Sequence, residues 1–128
     1  MFDDFEGVRD LSVLEVSAVG SLAATGSKWE PYRLFDPEGR PVGAVAAFFS
    51  DLLAAGRSEA TVRSYGMDLL RWFRFLWAIE VAWDRATRPE ARDFCRWLAI
   101  TSGLGGSGRA TPYSVSVRVH SETVLRCF

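Results

Sequence analysis

From Val42 onward, apolar residues recur at three- and four-residue spacing. Val42, Val45, Ala46, Phe49, Leu52 and Leu53 make the first such stripe, the signature of a helix with one buried face. Pro41 suits a first helical turn and Gly56 suits the position just past a helix end. The pattern therefore predicts a first helix from about Pro41 to Ala55. Ser58 is a good N-cap for a second helix reaching about Glu80. Along it Val62, Tyr65, Leu69, Trp72, Phe73 and Leu76 share one face, and Arg63, Met67, Arg71 and Arg74 share another. At about 100° per residue those last four positions span only about 80° of the circumference. A third helix opens at Thr87-Arg88-Pro89-Glu90, where Thr87 caps, Pro89 fits the first turn and Glu90 completes a capping box. Phe94, Trp97 and Leu98 then face inward, with Cys95 at the edge of that face.

The flanking stretches are less regular. Thr101 to Pro112 is rich in glycine and serine and reads as a loop. In Tyr113 to Phe128, Val115, Val117 and Val119 alternate as in a strand, whereas Val117, Ser121, Val124, Leu125 and Phe128 fit a helical stripe. A lone strand without a partner is marginal, so this segment is read as a last helix. Residues 1–28 have weak periodicity, and Leu11 to Ala24 reads as a loosely ordered lead or an accessory helix. Trp29, Tyr32, Leu34 and Phe35 are bulky enough to lie across the core as an extended arm. Asp36-Pro37-Glu38-Gly39 has the residue order of a type I turn. The expected fold is all-α: an orthogonal bundle of four to five helices with an irregular N-terminal arm. An acidic lead and arm over residues 1–40 would precede a helical domain over 41–128.

Composition narrows the class. At 128 residues, 48% of them apolar, the chain is sized for one domain with its own core. No apolar run approaches the ~18–20 residues that cross a bilayer. The start, MFDDFEGVRD, lacks the basic and apolar regions of a signal peptide. A cytoplasmic protein with no membrane partner is expected. Cys95 and Cys127 lack ligand spacing and are read as reduced core thiols. The net charge of −1 hides an asymmetry. Residues 1–40 carry four basic and eight acidic groups, while residues 41–128 carry eleven arginines and eight acids.

No catalytic constellation and no metal site is expected. His120 is the one histidine, and its neighbours Ser121 and Glu122 point away from it on a helix. Gly103 to Gly108 fit neither a dinucleotide-binding nor a phosphate-loop pattern. Asp3/Asp4 and Glu90/Asp93 suit an acidic terminus and a helix start, so no acid–base role is assigned to them. No cofactor is expected. What rises above background is the arginine face of the second helix. Arg109, Tyr113, Ser114, Ser116, Arg118 and Ser121 offer further donors suited to phosphates and bases.

The order Ser58, Thr61, Tyr65, Leu69 and Phe73, with Asp68 just before that leucine, resembles the core-binding domain of the tyrosine recombinase, or phage integrase, family. The closing stretch ATPYSVSVRVHSETVLRCF is similar to that domain's last helix, and the arm WEPYRLFDPEGRPV looks like the lead-in of some members. The resemblance spans residues 29–128 and implies a SAM-like bundle. It implies that this domain and a C-terminal catalytic domain clamp opposite sides of a recombination half-site, with other protomers on the same DNA. The family's Arg, Lys, His-x-x-Arg, His or Trp, and Tyr set finds no place in this sequence, so the catalytic domain is expected to lie elsewhere. Tyr32, Tyr65 and Tyr113 are read as structural. By the same resemblance the second and last helices approach the major groove of double-stranded DNA. The implied contacts are Arg57, Thr61, Arg63, Ser64, Arg71 and Arg74, then Arg109, Tyr113, Ser114, Ser116, Arg118 and Ser121. A helical protein–protein interaction module is the alternative reading, because fold alone does not fix function.

Overall fold

The structure, a computed structural model, describes residues 10–104. In chain order the elements are β1 (Ser21–Ala24), β2 (Tyr32–Phe35), α1 (Gly43–Ala54), α2 (Glu59–Ile79), a short 3-10 turn (Trp83–Arg85) and α3 (Arg88–Leu104). The described residues are mostly helical, as expected, but they also contain a β-hairpin. The segments read as an accessory helix and a single extended arm are its two strands, paired antiparallel with Leu22 opposite Leu34. Their periodicity is weak because each strand has only four residues and alternation needs a longer run to register. The last helix expected over Tyr113 to Phe128 lies outside the described residues.

Local chemistry explains where the helices begin and end. At the start of α2, the Ser58 hydroxyl accepts a hydrogen bond from the Thr61 backbone N–H at 3.1 Å. At its end, Glu80 adopts a left-handed conformation (φ 58°), and the N–H of Val81 returns to the Leu76 carbonyl at 3.0 Å. That wraps up carbonyls the helix leaves unsatisfied. In front of α3, the Glu90 carboxylate accepts both the Thr87 N–H at 2.7 Å and the Thr87 hydroxyl at 2.8 Å. The helix continues to Leu104, into the stretch read as loop. Between hairpin and helices, Gly39 N–H donates to the Asp36 carbonyl at 2.9 Å, closing the expected turn. The Asp36 carboxylate also accepts the N–H groups of Glu38 and Arg40.

α2 is the axis of the packing. Val45, Phe49 and Leu52 of α1 pack with Val62, Leu69, Phe73 and Leu76 of α2 in a single buried core. On another side of α2, Trp72 and Phe75 meet Phe94 of α3 at ring-centroid distances of 5.2 and 5.4 Å, and Trp97 joins them. Truncating one such buried ring costs on the order of 3–5 kcal/mol. The hairpin covers a third side. Leu34 is fully buried, and both Leu22 methyls lie where a Cβ on Gly66 would sit, 2.9 Å away. Gly66 is therefore the seat of the hairpin on α2. Trp29 differs from the expectation: it is 80% exposed and does not lie across the core.

Gly20 makes the tightest contact between hairpin and helix. It has φ +72°, and a Cβ there would come within 2.7 Å of the Trp77 ring and 2.8 Å of the Phe35 carbonyl oxygen. Gly26 shares the positive φ (+83°) but faces open space. Gly20→Ala should therefore cost about 2–4 kcal/mol and Gly26→Ala about 1 kcal/mol. Urea denaturation of the two variants reads the difference, and equal losses would mean that the hairpin is not wedged against Trp77.

Candidate nucleic-acid interface

The arginine stripe of α2 faces outward along a wedge between the hairpin and α3. Taken at about 100° per residue, Gly66, Leu70 and Trp77 turn towards the hairpin side, and Asp68, Trp72 and Phe75 towards α3. Arg63, Met67, Arg71 and Arg74 lie between these two groups. The structure divides them by depth. Arg63 and Ser64 are exposed, whereas Met67, Arg71 and Arg74 are half-buried.

The two C-terminal arginines are used inside the fold. Arg71 Nη1 donates to Asp68 Oδ1 at 2.5 Å, one helical turn away. Asp68 is buried, at 3% exposure. A carboxylate taken out of water needs a partner of opposite charge, and Arg71 supplies it. Arg74 reaches across to the hairpin. Its Nε donates to the Val19 carbonyl at 2.7 Å and its Nη2 to the Gly20 carbonyl at 3.3 Å. Both acceptors precede β1 and are left over by the short sheet. Arg74 thus ties the lead to α2 at the point where Gly20 meets Trp77. Sequence periodicity placed both arginines on the outer face but carried no sign of these partners. Asp68 sits three residues from Arg71, a spacing that pairs side chains on a helix and was the available clue.

The N-terminal part of α2 presents a different surface. Arg57 is exposed on the short link from α1, Arg63 and Ser64 are exposed in the first two turns, and Thr61 is half-buried between them. Thr61 is occupied locally, since its hydroxyl oxygen accepts from the Ser58 hydroxyl at 3.1 Å. The N-terminal end of a 21-residue helix adds the positive end of the helix dipole. Glu59 is the acid of that first turn. The remaining sequence candidates, Arg109, Tyr113, Ser114, Ser116, Arg118 and Ser121, lie outside the described residues, as do His120 and Cys127. Cys95 is half-buried on α3. Among the described residues no group of three or more His, Cys, Asp or Glu could hold a metal ion. No described helix is long and apolar enough to cross a membrane.

The family model for the N-terminal SAM-like domain of phage integrase matches residues 45–115, more than half of the chain. The chain belongs to this family. That membership agrees with the resemblance carried by Ser58, Thr61, Tyr65, Leu69 and Phe73. The match starts at Val45 in α1, so the hairpin of this integrase domain lies outside it. No curated protein and no solved structure matches the chain.

The division of labour along the stripe has a measurable consequence. Arg71→Ala strips a buried carboxylate of its ion-pair partner, and Arg74→Ala unties the lead. Each should lower unfolding free energy by about 1–3 kcal/mol. Arg63→Ala, on an exposed helix face, should stay within about 0.5 kcal/mol of the parent. Chemical denaturation of the three variants separates these outcomes.

Proposed function

We propose that this integrase domain binds double-stranded DNA as the core-binding domain of a tyrosine-type site-specific recombinase. It grips a recombination half-site while a catalytic domain elsewhere in the protein carries out strand exchange, with further protomers on the same DNA. The observation that carries the reading is the exposed cluster of Arg57, Arg63 and Ser64, with Thr61 among them, at the positive end of α2. It lies in a domain whose family is that of integrases. Arginine forks suit phosphate oxygens and guanine edges, and a helix N-terminus suits phosphate. Arg74, which donates only to backbone carbonyls, adds positive potential behind this cluster, while the charge of Arg71 is answered by Asp68. Arg109, Tyr113, Ser114, Ser116, Arg118 and Ser121 would complete the grip from the segment that follows α3.

The chain's net charge of −1 sets the strength. With few phosphates neutralised, binding by this domain alone should be weak, with a modest salt slope set by that small number of contacts. Arg57→Ala and Arg63→Ala should each weaken binding to a labelled half-site-length duplex several-fold in 50 mM salt. Each should also reduce the slope of log K against log salt by about 1. Fluorescence anisotropy across a salt series measures both quantities. Unchanged affinity and slope in the double variant would remove the N-terminal part of α2 from the interface.

A further inference from the structure

The hairpin tip combines two features that packing does not explain. Trp29 is 80% exposed, although a large aromatic side chain gains most by burial. The Lys28 ammonium lies over its ring, 5.7 Å from the centroid, within range of a cation–π contact. The loop that presents them is held in shape by its own hydrogen bonds. The Thr25 N–H donates to the Pro31 carbonyl at 3.0 Å, and the Thr25 hydroxyl donates to the Glu30 carbonyl. The N–H of Ser27 donates to Thr25 Oγ1 and the N–H of Trp29 to Ser27 Oγ, each at 3.1 Å. A partner therefore meets a preorganised tip and pays little to order it. The acid of the loop is already answered: Glu30 is hydrogen-bonded to Arg33, whose guanidinium holds the Glu30 carboxyl below its ordinary range. Lys28 faces outward without an opposing acid in the loop.

The position of the tip follows from the contacts of β1. Val19 and Gly20 lie against Arg74 and Trp77 near the C-terminal end of α2. Leu22 lies against Gly66, several turns nearer the N-terminus. β1 thus runs antiparallel to α2, advancing about 3.3 Å per residue. The chain beyond Leu22 therefore heads away from the C-terminal end of α2, so the tip with Lys28 and Trp29 lies towards the end that carries Arg57, Thr61, Arg63 and Ser64. On the helix circumference Arg63 is the stripe residue adjoining the Gly66 side, the side that the hairpin covers. The opposite, open end of the hairpin sits with Asp36 and Glu38 beside Glu80, an acidic surface unsuited to a polyanion.

We infer that the hairpin tip is a second DNA-contacting element, with Lys28 placed on a phosphate and Trp29 laid against the sugar and base edges of the same duplex that the N-terminal part of α2 grips. This rests on the DNA-binding reading above and extends it to a hairpin that the family match does not include. A rigid aromatic beside a cation suits that role, because the ring can lie against the sugars of the backbone and the cation can meet a phosphate without reading sequence. The tip lengthens the footprint without adding base-specific contacts. That also compensates in part for the modest charge of the α2 cluster.

Trp29→Ala, Trp29→Phe, Lys28→Ala and Arg63→Ala in the full 128-residue chain test this by anisotropy with a labelled duplex. Trp29→Ala should weaken binding several-fold and Trp29→Phe much less, as expected for loss of one apolar contact of a ring buried against the backbone sugars. Lys28→Ala should reduce the salt slope by about 1. Melting temperatures should be unchanged, since both side chains are exposed. Duplex addition should quench tryptophan emission in the parent, and Trp29→Phe should remove most of that quench. Loss of binding in Arg63→Ala with none in Trp29→Ala or Lys28→Ala would overturn the role of the tip and leave the α2 reading standing. No loss in any variant would overturn both. Concentration-dependent sedimentation of the parent that Trp29→Ala abolishes, with duplex affinity unchanged, would assign the tip to self-association instead.

Discussion

The contact between the hairpin and α2 sets the terms for the rest of the molecule. α2 is a 21-residue helix, too long for α1 and α3 to sheathe by themselves. The hairpin takes the remaining side by way of two glycines. Gly66 lets Leu22 approach the helix backbone, and Gly20 lets the hairpin backbone approach Trp77. Arg74 then holds the carbonyls of Val19 and Gly20, which the four-residue strands leave unpaired with each other. Small residues admit the contact and an arginine side chain completes its hydrogen bonds. Among the described residues, three elements packed round one helix leave an outward wedge along it.

That wedge explains why one helix serves two ends. Near its C-terminus the wedge is narrow, and its arginines lie close enough to Asp68 and the lead to be drawn inward. Near its N-terminus the surroundings fall away, so Arg63 and Ser64 stand in water beside Arg57. On the proposed reading, stability and DNA recognition are separated along the axis of α2 and do not compete for the same side chains. The acids are arranged in keeping with this. Asp68 is consumed within the fold, and Asp36, Glu38 and Glu80 gather at the far end. The cationic end is left with Glu59 alone in its first turn.

Much of the helical body was legible in the sequence. Ser58, Glu90 and Gly56 marked ends that hydrogen bonds and a positive φ bear out, and the stripes of α1, α2 and α3 supplied most of the core. The hairpin was not legible, because four-residue strands in a segment of small residues carry too little alternation. Its absence from the reading had a direct effect on the site. With no hairpin in view, the sequence carried no sign that Gly66 seats Leu22 or that Arg74 holds the carbonyls of Val19 and Gly20. Trp29 erred in the opposite direction: size suggested burial, but Trp29 lies in the Thr25–Pro31 loop beyond the strands, where it has no core to enter. The residues after α3 lie outside the described structure, so the second half of the candidate contact set remains a matter of sequence.

The central claim is that the two ends of α2 do different work, and residue-resolved NMR tests it most directly. A 15N-labelled chain titrated with an unlabelled duplex at low salt should show amide perturbations at 57–64 within α2, together with the hairpin tip at 25–31 and the segment after α3, all fading as salt is raised. The amides of 72–80, although on the same helix, should shift little. Perturbations centred on 72–80 and the turn at 36–39, or none that respond to duplex, would contradict the account.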